Sequence, residues 1–243
     1  MSSYPITIKA FGEQAILVQW PSEVNDSILE DIIQFTNFLK RKLEGKWELV
    51  PSYNSLTIIG EANNLNLIEI RKSIIAFYKA LDYTEKPVRY LWTLPVCYDS
   101  EFGLDLDEVS QNLNMTVSEL IQSHSENEYT VYGIGFLPGF MYLGGLPKNL
   151  ETTRKETPRL KVAKGAVGLA GKQTGIYPQE SPGGWNIIGS CPVAIFNVNT
   201  EEPCFVSVGD KIKFEAISRA TYDLHKIEAE VGIYKPKKVL LND

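Results

Sequence analysis

Gly165 to Gly189 reads GAVGLAGKQTGIYPQESPGGWNIIG. Seven glycines and two prolines stand between short apolar runs, around Lys172, Gln173, Thr174, Tyr177, Ser181 and Trp185. Glycine at this density lets the backbone take positive φ or approach a ligand closely, which ordinary core-building does not require. Ala166 to Ala170 and Trp185 to Ile188 read as strands feeding a long shaped loop. Loops held on a rigid β scaffold are where binding groups collect. A glycine-rich barrel corner with no chemistry is the competing reading.

Outward from this stretch the pattern stays β-like. From Arg159 to Phe214 short apolar runs alternate with glycine, proline and asparagine turns, which predicts a barrel or sandwich. Ser218 to Val231 predicts a closing helix, and the tail from Lys235 a solvated end. Upstream, Tyr132 to Pro147 reads YGIGFLPGFMYLGGLP, a second glycine-rich loop entered from a strand over Tyr129 to Ile134. Before it, Thr116-Val117-Ser118-Glu119 is a capping box that opens a helix ending near His124. Val88 to Val96 predicts a strand, and residues 82–87, DYTEKP, a linker.

The chain before that linker has a different rhythm. Ile6 to Phe11 and Ala15 to Trp20 predict two strands joined around Gly12. Asn25 to Leu43 carries apolar residues at Ile28, Leu29, Ile32, Ile33, Leu39 and Leu43, a helical stripe, with basic residues in its last turn. Trp47 to Val50 and Leu56 to Ile59 predict a second strand pair across Pro51-Ser52-Tyr53-Asn54, and Leu65 to Leu81 a second helix. This order implies an antiparallel sheet covered by helices on one face. The expected class is α+β, with a two-layer α/β domain over 1–85, a packing and docking domain, and a β domain, barrel or sandwich, over 86–243.

With 243 residues, 44% hydrophobic and 22% charged, the composition is that of an ordinary globular protein. A net charge of −6 argues against a nucleic-acid surface. No apolar run approaches the ~20 residues that span a bilayer, and no signal peptide is visible at the N-terminus. Cys97, Cys191 and Cys204 lack CxxC spacing, which points to a reduced, cytoplasmic protein.

Candidate chemistry is sparse. His124 could act as a general base if it faced a pocket, or could simply close its helix; His225, in the last helix, reads as structural or exposed. Two distant histidines and three scattered cysteines offer no metal site. No GxSxG elbow, no P-loop and no biotin-carrying lysine is present. The residues expected to line a pocket are Gln173, Thr174, Tyr177, Ser181 and Trp185, joined by Phe136, Phe140 and Tyr142. Amides and hydroxyls among aromatics suit a small polar substrate such as a lactam or ureide. Lys172 could stabilise an oxyanion or hold a substrate carboxylate, and Trp185 could equally plug a barrel end. The catalytic candidates are His124, Lys172 and Gln173.

The strings Gly135-Phe136-Leu137-Pro138-Gly139-Phe140, Tyr142-Leu143-Gly144-Gly145-Leu146, Gln173-Thr174-Gly175-Ile176-Tyr177-Pro178 and Ser181-Pro182-Gly183-Gly184-Trp185 are long and unusual. They resemble the family that holds the 5-oxoprolinase B subunit, allophanate hydrolase subunit 1 and the kinase inhibitor KipI. Val50 to Leu56 carries the resemblance into the N-terminal domain, and a histidine stands in the family at the place of His124. The resemblance implies a cyclophilin-like C-terminal barrel and a homologous C subunit whose barrel completes the site. It implies an ATP-hydrolysing amidohydrolase complex of A, B and C subunits that opens 5-oxoproline to L-glutamate, this chain being inactive alone and ATP being bound elsewhere. Its alternatives are a KipI-like inhibitor of a sensor histidine kinase and a urea- or allophanate-related carboxyltransferase component. A stand-alone prolyl isomerase would rest on fold alone, which does not carry function.

This chain departs from the family pattern at Ala163-Lys164, where Pro-Ala is usual. It also departs at Thr153-Arg154, in place of Pro-Arg, and at Ser190, in place of arginine. An arginine lost near the second loop would weaken anion holding. Phe136, Phe140, Tyr142 and Trp185 are expected to stand exposed, more aromatic surface than a monomer leaves bare, for a partner barrel to cover.

Overall fold

The computed structural model describes residues 4–60, 67–83 and 86–241. Two compact units divide the chain, Met1–Val88 and Arg89–Asp243. The boundary expected after residue 85 adjoins residues 84–85, outside those described.

In the first unit β1 (Thr7–Phe11) and β2 (Ala15–Gln19) form a hairpin whose turn places Gly12 at φ 73°. The helix α1 (Asp26–Lys42) begins where Asn25 accepts a hydrogen bond from the Ile28 N–H at 2.8 Å. Its stripe of Ile28, Leu29, Ile32, Phe35 and Leu39 is buried. Ile28, Ile32, Phe35 and Leu39 pack with Ile16 and Val18 of β2 and with Leu56 and Ile58 of β4 (Ser55–Gly60), residues of one sheet face. β3 (Trp47–Ser52) completes an antiparallel sheet in the order β1-β2-β4-β3. The β3–β4 turn is tighter than the sequence suggests. Pro51 and Ser52 pair with Leu56 and Ser55, which leaves only Tyr53, at φ 52°, and Asn54 to make the bend. The second helix, α2 (Leu67–Lys79), docks Ile74 and Tyr78 into the same core; its expected start at Leu65 lies outside the described residues.

The second unit is built on a mixed sheet of eight strands: β5 (Tyr90–Val96), β6 (Glu128–Ile134), β7 (Met141–Gly144), β9 (Ala166–Ala170), β10 (Gln173–Ile176), β12 (Asn186–Ser190), β13 (Lys211–Ala216) and β14 (Lys237–Leu240). Their spatial order is β12-β9-β10-β7-β6-β13-β5-β14, with only the β13–β5 pair parallel. The sheet curls until Cys97, just past β5, meets Ser190 of β12 through two reciprocal N–H···O bonds of 2.9 Å. Among the described residues the β12 end is therefore joined to the chain after β5 by one bridge rather than by a full strand pair. A separate ribbon pairs β8 (Arg159–Val162) with β11 (Ser181–Gly183). Three helices complete the unit: α3 (Leu106–Asn112), α4 (Val117–Glu126) with the Thr116–Glu119 capping box formed, and α5 (Arg219–Glu230).

Three features differ from the sequence reading. The loop expected between Ala170 and Trp185 contains two strands, β10 and β11. The helix α3 has no counterpart in that reading. The tail expected to be a solvated end is the strand β14, antiparallel to β5, with all four of its residues exposed.

Candidate functional site

Both glycine-rich stretches end at one cleft of the second unit. In the first, between β6 and β7, Gly135 N–H donates to Phe140 O at 3.0 Å and Phe140 N–H to Leu137 O at 2.9 Å. Gly139 sits there at φ 82°, and a Cβ on it would fall 2.6 Å from Phe196 Cβ, so only glycine fits. The tight loop turns Phe140 inward, 2% exposed, and leaves Phe136 outward, 63% exposed, at φ 68°. In the second, Tyr177 follows β10 and Trp185 precedes β12. A Cβ on Gly183 would lie 2.3 Å from the Tyr177 hydroxyl, so the glycine is what lets that ring lie there.

The aromatic side chains assemble around Phe140. Its ring meets Tyr142, Tyr177, Trp185 and Phe136 edge to face, with centroids 5.0, 5.4, 5.4 and 5.5 Å away. This is the geometry that ring quadrupoles favour. The cleft they border has a volume of about 260 Å3. Its polar members are Tyr142, Tyr177 and Arg154, whose guanidinium carbon lies 6.0 Å over the Trp185 ring. Burial pushes the Tyr177 phenol up, against a backbone hydrogen bond from Trp185 and the charges of Arg154 and Arg159. The phenol is therefore protonated at neutral pH.

Arg154 belongs to a strap, residues 153–159, fastened on both sides of it. Asn186 Nδ2 donates to Thr153 O at 2.7 Å, and Lys155 N–H donates to Gly184 O at 2.8 Å. Beneath the strap Asp105, 2% exposed, takes Arg159 in two bonds of 2.9 and 2.6 Å, Lys155 Nζ at 2.9 Å and the Ile187 N–H at 2.6 Å. Burial alone would raise the Asp105 carboxyl. Arg159, Lys155 and Ile187 outweigh it and hold the carboxyl below its ordinary value.

The cleft gathers Phe136, Phe140, Tyr142, Tyr177 and Trp185 from the expected set, but not the rest. His124 is fully buried: Nδ1 lies 2.7 Å from the Tyr98 hydroxyl, Nε2 lies 2.9 Å from Thr174 Oγ1, and the ring stacks on Phe214 at 4.6 Å. Thr174 Oγ1 donates its proton to Gly168 O at 3.1 Å, so Nε2–H donates to Thr174 and Nδ1 accepts from Tyr98. Burial lowers this imidazole to about 3. A general base must face a substrate, and His124 does not. Thr174 faces the same core rather than the cleft. Lys172 is exposed in the Gly171–Lys172 turn and Gln173 is half-buried at the opposite end of β10 from Tyr177. Five residues of strand put Lys172 about 16 Å from Tyr177. The Ser181 hydroxyl is buried against its neighbour's carbonyl, Pro182 O, at 3.2 Å.

Exposure is corrected too. Phe140 and Trp185 are buried against one another, 2% and 5% exposed, and only Phe136 stands bare. Ser190, in place of the family arginine, bonds the Tyr222 hydroxyl at 3.1 Å inside the core. Sequence reasoning misses Asp105 as a site residue, because its pairing with Arg159 spans more than fifty residues of chain, and misses Arg154, whose place over Trp185 joins two separate stretches. A larger hollow of about 510 Å3, lined in part by Lys164, Tyr222 and Lys226, gathers none of the expected residues. Among the described residues, no group of His, Cys, Asp and Glu is placed to hold a metal ion, and no helix is long and apolar enough to cross a membrane.

The family model of the carboxyltransferase domain, subdomain C and D, matches residues 6–206. The 5-oxoprolinase B subunit of Bacillus subtilis is 31% identical, over 91% of this chain and 97% of that one. The 5-oxoprolinase B subunit of Haemophilus influenzae is 42% identical over 69% and 78%. The urea carboxylase of Kluyveromyces lactis, 17% identical, shares the fold with a TM-score of 0.79 over 97% of this chain, which spans 24% of that larger protein.

Proposed function

This chain belongs to the carboxyltransferase subdomain C and D family, alongside the 5-oxoprolinase B subunits. On that premise we propose that it is the B subunit of an ATP-dependent 5-oxoprolinase, acting with the A and C subunits. In the reaction water adds at the lactam carbonyl, the ring C–N bond breaks, the nitrogen takes a proton, and L-glutamate leaves. The observation that carries this reading is the convergence of both glycine-rich loops on one ring-walled cleft of about 260 Å3. That volume is below the roughly 300–1,000 Å3 of sites for drug-sized ligands, and suits a five-membered ring better than a nucleotide.

The rings of Phe140 and Trp185 give the flat lactam an apolar floor, and the protonated Tyr177 hydroxyl is a donor for its carbonyl. A triphosphate does not fit this cleft, which has one cation and lies in a chain with no P-loop; ATP is handled by a partner chain. His124 is a positioning residue, holding β10 through Thr174. Residues 86–243, a variant of the cyclophilin-like barrel, carry the site, and 1–85 dock the partners. The chain is inactive alone, and its setting is the cytoplasm, where the free Cys97, Cys191 and Cys204 stay reduced. Exposed Phe136 and Leu160 favour a second reading, docking onto a sensor histidine kinase.

The test mixes the purified chain with the A and C subunits, 5-oxoproline and ATP. Glutamate release is expected from the full mixture and from no pair of its three chains. No release from three folded chains overturns the assignment. Slowed autophosphorylation of a sensor kinase would then install the second reading.

A further inference from the structure

We infer that Arg154 is the residue that makes this cleft select a ring bearing one carboxylate, and that the Asp105 brace exists to leave it available; this rests on the cleft being the substrate site. Three cations lie on the strap within six residues, and they are treated differently. Lys155 is paired with Asp105 and with Glu108, at 2.9 and 2.8 Å, and Arg159 holds Asp105 in a two-pronged bond. Two carboxylates balance those two cations. Arg154 has no hydrogen bond or ion pair among the described residues, only its approach to the Trp185 ring.

An unpaired guanidinium on an ordinary surface would mean little. This one lines a cleft whose other members are aromatic rings, prolines and glycines, with no carboxylate among them. The backbone on both sides of it is fastened, at Thr153 to Asn186 and at Lys155 to Gly184, so the side chain alone remains to be ordered on binding. A guanidinium fork matches a carboxylate with two parallel bonds, which an ammonium cannot do. One fixed positive charge at the mouth of a ring-sized apolar cleft therefore describes its ligand: a small flat ring with a single carboxylate.

Calorimetric titration of the full chain, and of the assembled complex, with 5-oxoproline and with 2-pyrrolidinone tests this, since the second is the same ring without the carboxylate. The native protein is expected to prefer 5-oxoproline by about tenfold or more, equivalent to about 1.4 kcal/mol. Arg154→Gln should abolish the preference by weakening 5-oxoproline alone, and Arg154→Lys should restore part of it. Lys155→Met, which loosens the strap, should lower the preference without changing 2-pyrrolidinone affinity; a general packing defect would weaken both ligands. A preference that survives Arg154→Gln overturns the inference, as does the absence of carboxylate binding in both preparations. Arg154-dependent binding of cyclopentanecarboxylate, in a complex that leaves 5-oxoproline intact, would uphold the inference while removing the 5-oxoprolinase reading.

Discussion

Asp31 in the first unit and Asp105 in the second are both buried carboxylates, 4% and 2% exposed, satisfied in opposite ways. Among the described residues Asp31 accepts from neutral donors only: Trp20 Nε1 at 2.6 Å, the Tyr78 hydroxyl at 2.5 Å and the Tyr83 hydroxyl at 2.7 Å. Burial pushes the Tyr78 and Tyr83 phenols up, and their bonds to Asp31 push further. This knot ties α1 to the end of β2 and to α2. Asp105 instead collects two cations from a single strap. A knot of neutral donors settles how elements pack. A brace of cations settles how a short segment beside a cleft is held, and which charge in it stays unpaired.

Removing the two carboxylates should separate these roles. Asp31→Ala leaves the Tyr78 hydroxyl without an acceptor in the core and Trp20 Nε1 with only that hydroxyl, 3.2 Å away, at about 1–3 kcal/mol for each weakened group. A loss of about 4 kcal/mol in urea unfolding is expected, with the ligand preference of the native protein unchanged. Asp105→Ala should cost less, about 3 kcal/mol, because Lys155 and Arg159, 19% and 28% exposed, can turn to water. The preference for 5-oxoproline over 2-pyrrolidinone should fall with it. If Asp31→Ala also erased that preference, the division of labour would be wrong.

Acid sharpens the contrast inside the second unit. The Asp105 carboxyl is held below its ordinary value, so its contribution is present above about pH 3.9 and fades only below that. His124 is lowered to about 3. Between its unfolded value near 6.5 and that figure, the unfolded chain binds the extra proton, so stability falls as pH falls. The slope is about 1.4 kcal/mol per pH unit, or about 2 kcal/mol between pH 6.5 and 5. Urea midpoints at pH 7 and 5 should show this loss, and His124→Gln should flatten it. An unchanged slope in that variant would assign the sensitivity to another group.

How far each feature could be read from the chain follows from the range of the forces that make it. The α1 stripe and the Thr116–Glu119 box are local, and they are visible in the sequence. β14 is an outer strand with all four residues exposed, so no buried face marks KKVL as a strand. β10 is four residues with Gly175 inside, too short to distinguish from the loop around it. At the site, glycine and proline around Phe136, Phe140, Tyr142, Tyr177 and Trp185 announce the cleft. That Phe140 and Trp185 bury one another is not visible there, because their contact joins two separate stretches. Arg154 is distinguished only by the partner it lacks, and Asp105 by partners fifty residues on, which no local pattern records. His124 carries no mark at all of the core that closes over it.

The smallest expected effect concerns Phe136, the one aromatic of the cleft that stays exposed and the one held at positive φ. An L-residue in that left-handed region costs about 1–2 kcal/mol, and nothing in the core compensates an exposed ring. Phe136→Ala and Phe136→Gly both delete the ring, so both should weaken 5-oxoproline binding by the same factor. They differ only in the backbone. Glycine relieves the left-handed strain but gives back about 0.5–1 kcal/mol through its freer unfolded chain. The glycine variant should therefore be the more stable by about 0.5–1 kcal/mol, the reverse of the usual ranking of alanine over glycine. Parallel urea titrations of the two variants measure that difference. An alanine variant as stable as the glycine one would mean that the loop relaxes once the ring is gone. The left-handed turn would then belong to the Phe136–Phe140 contact rather than to the loop between β6 and β7.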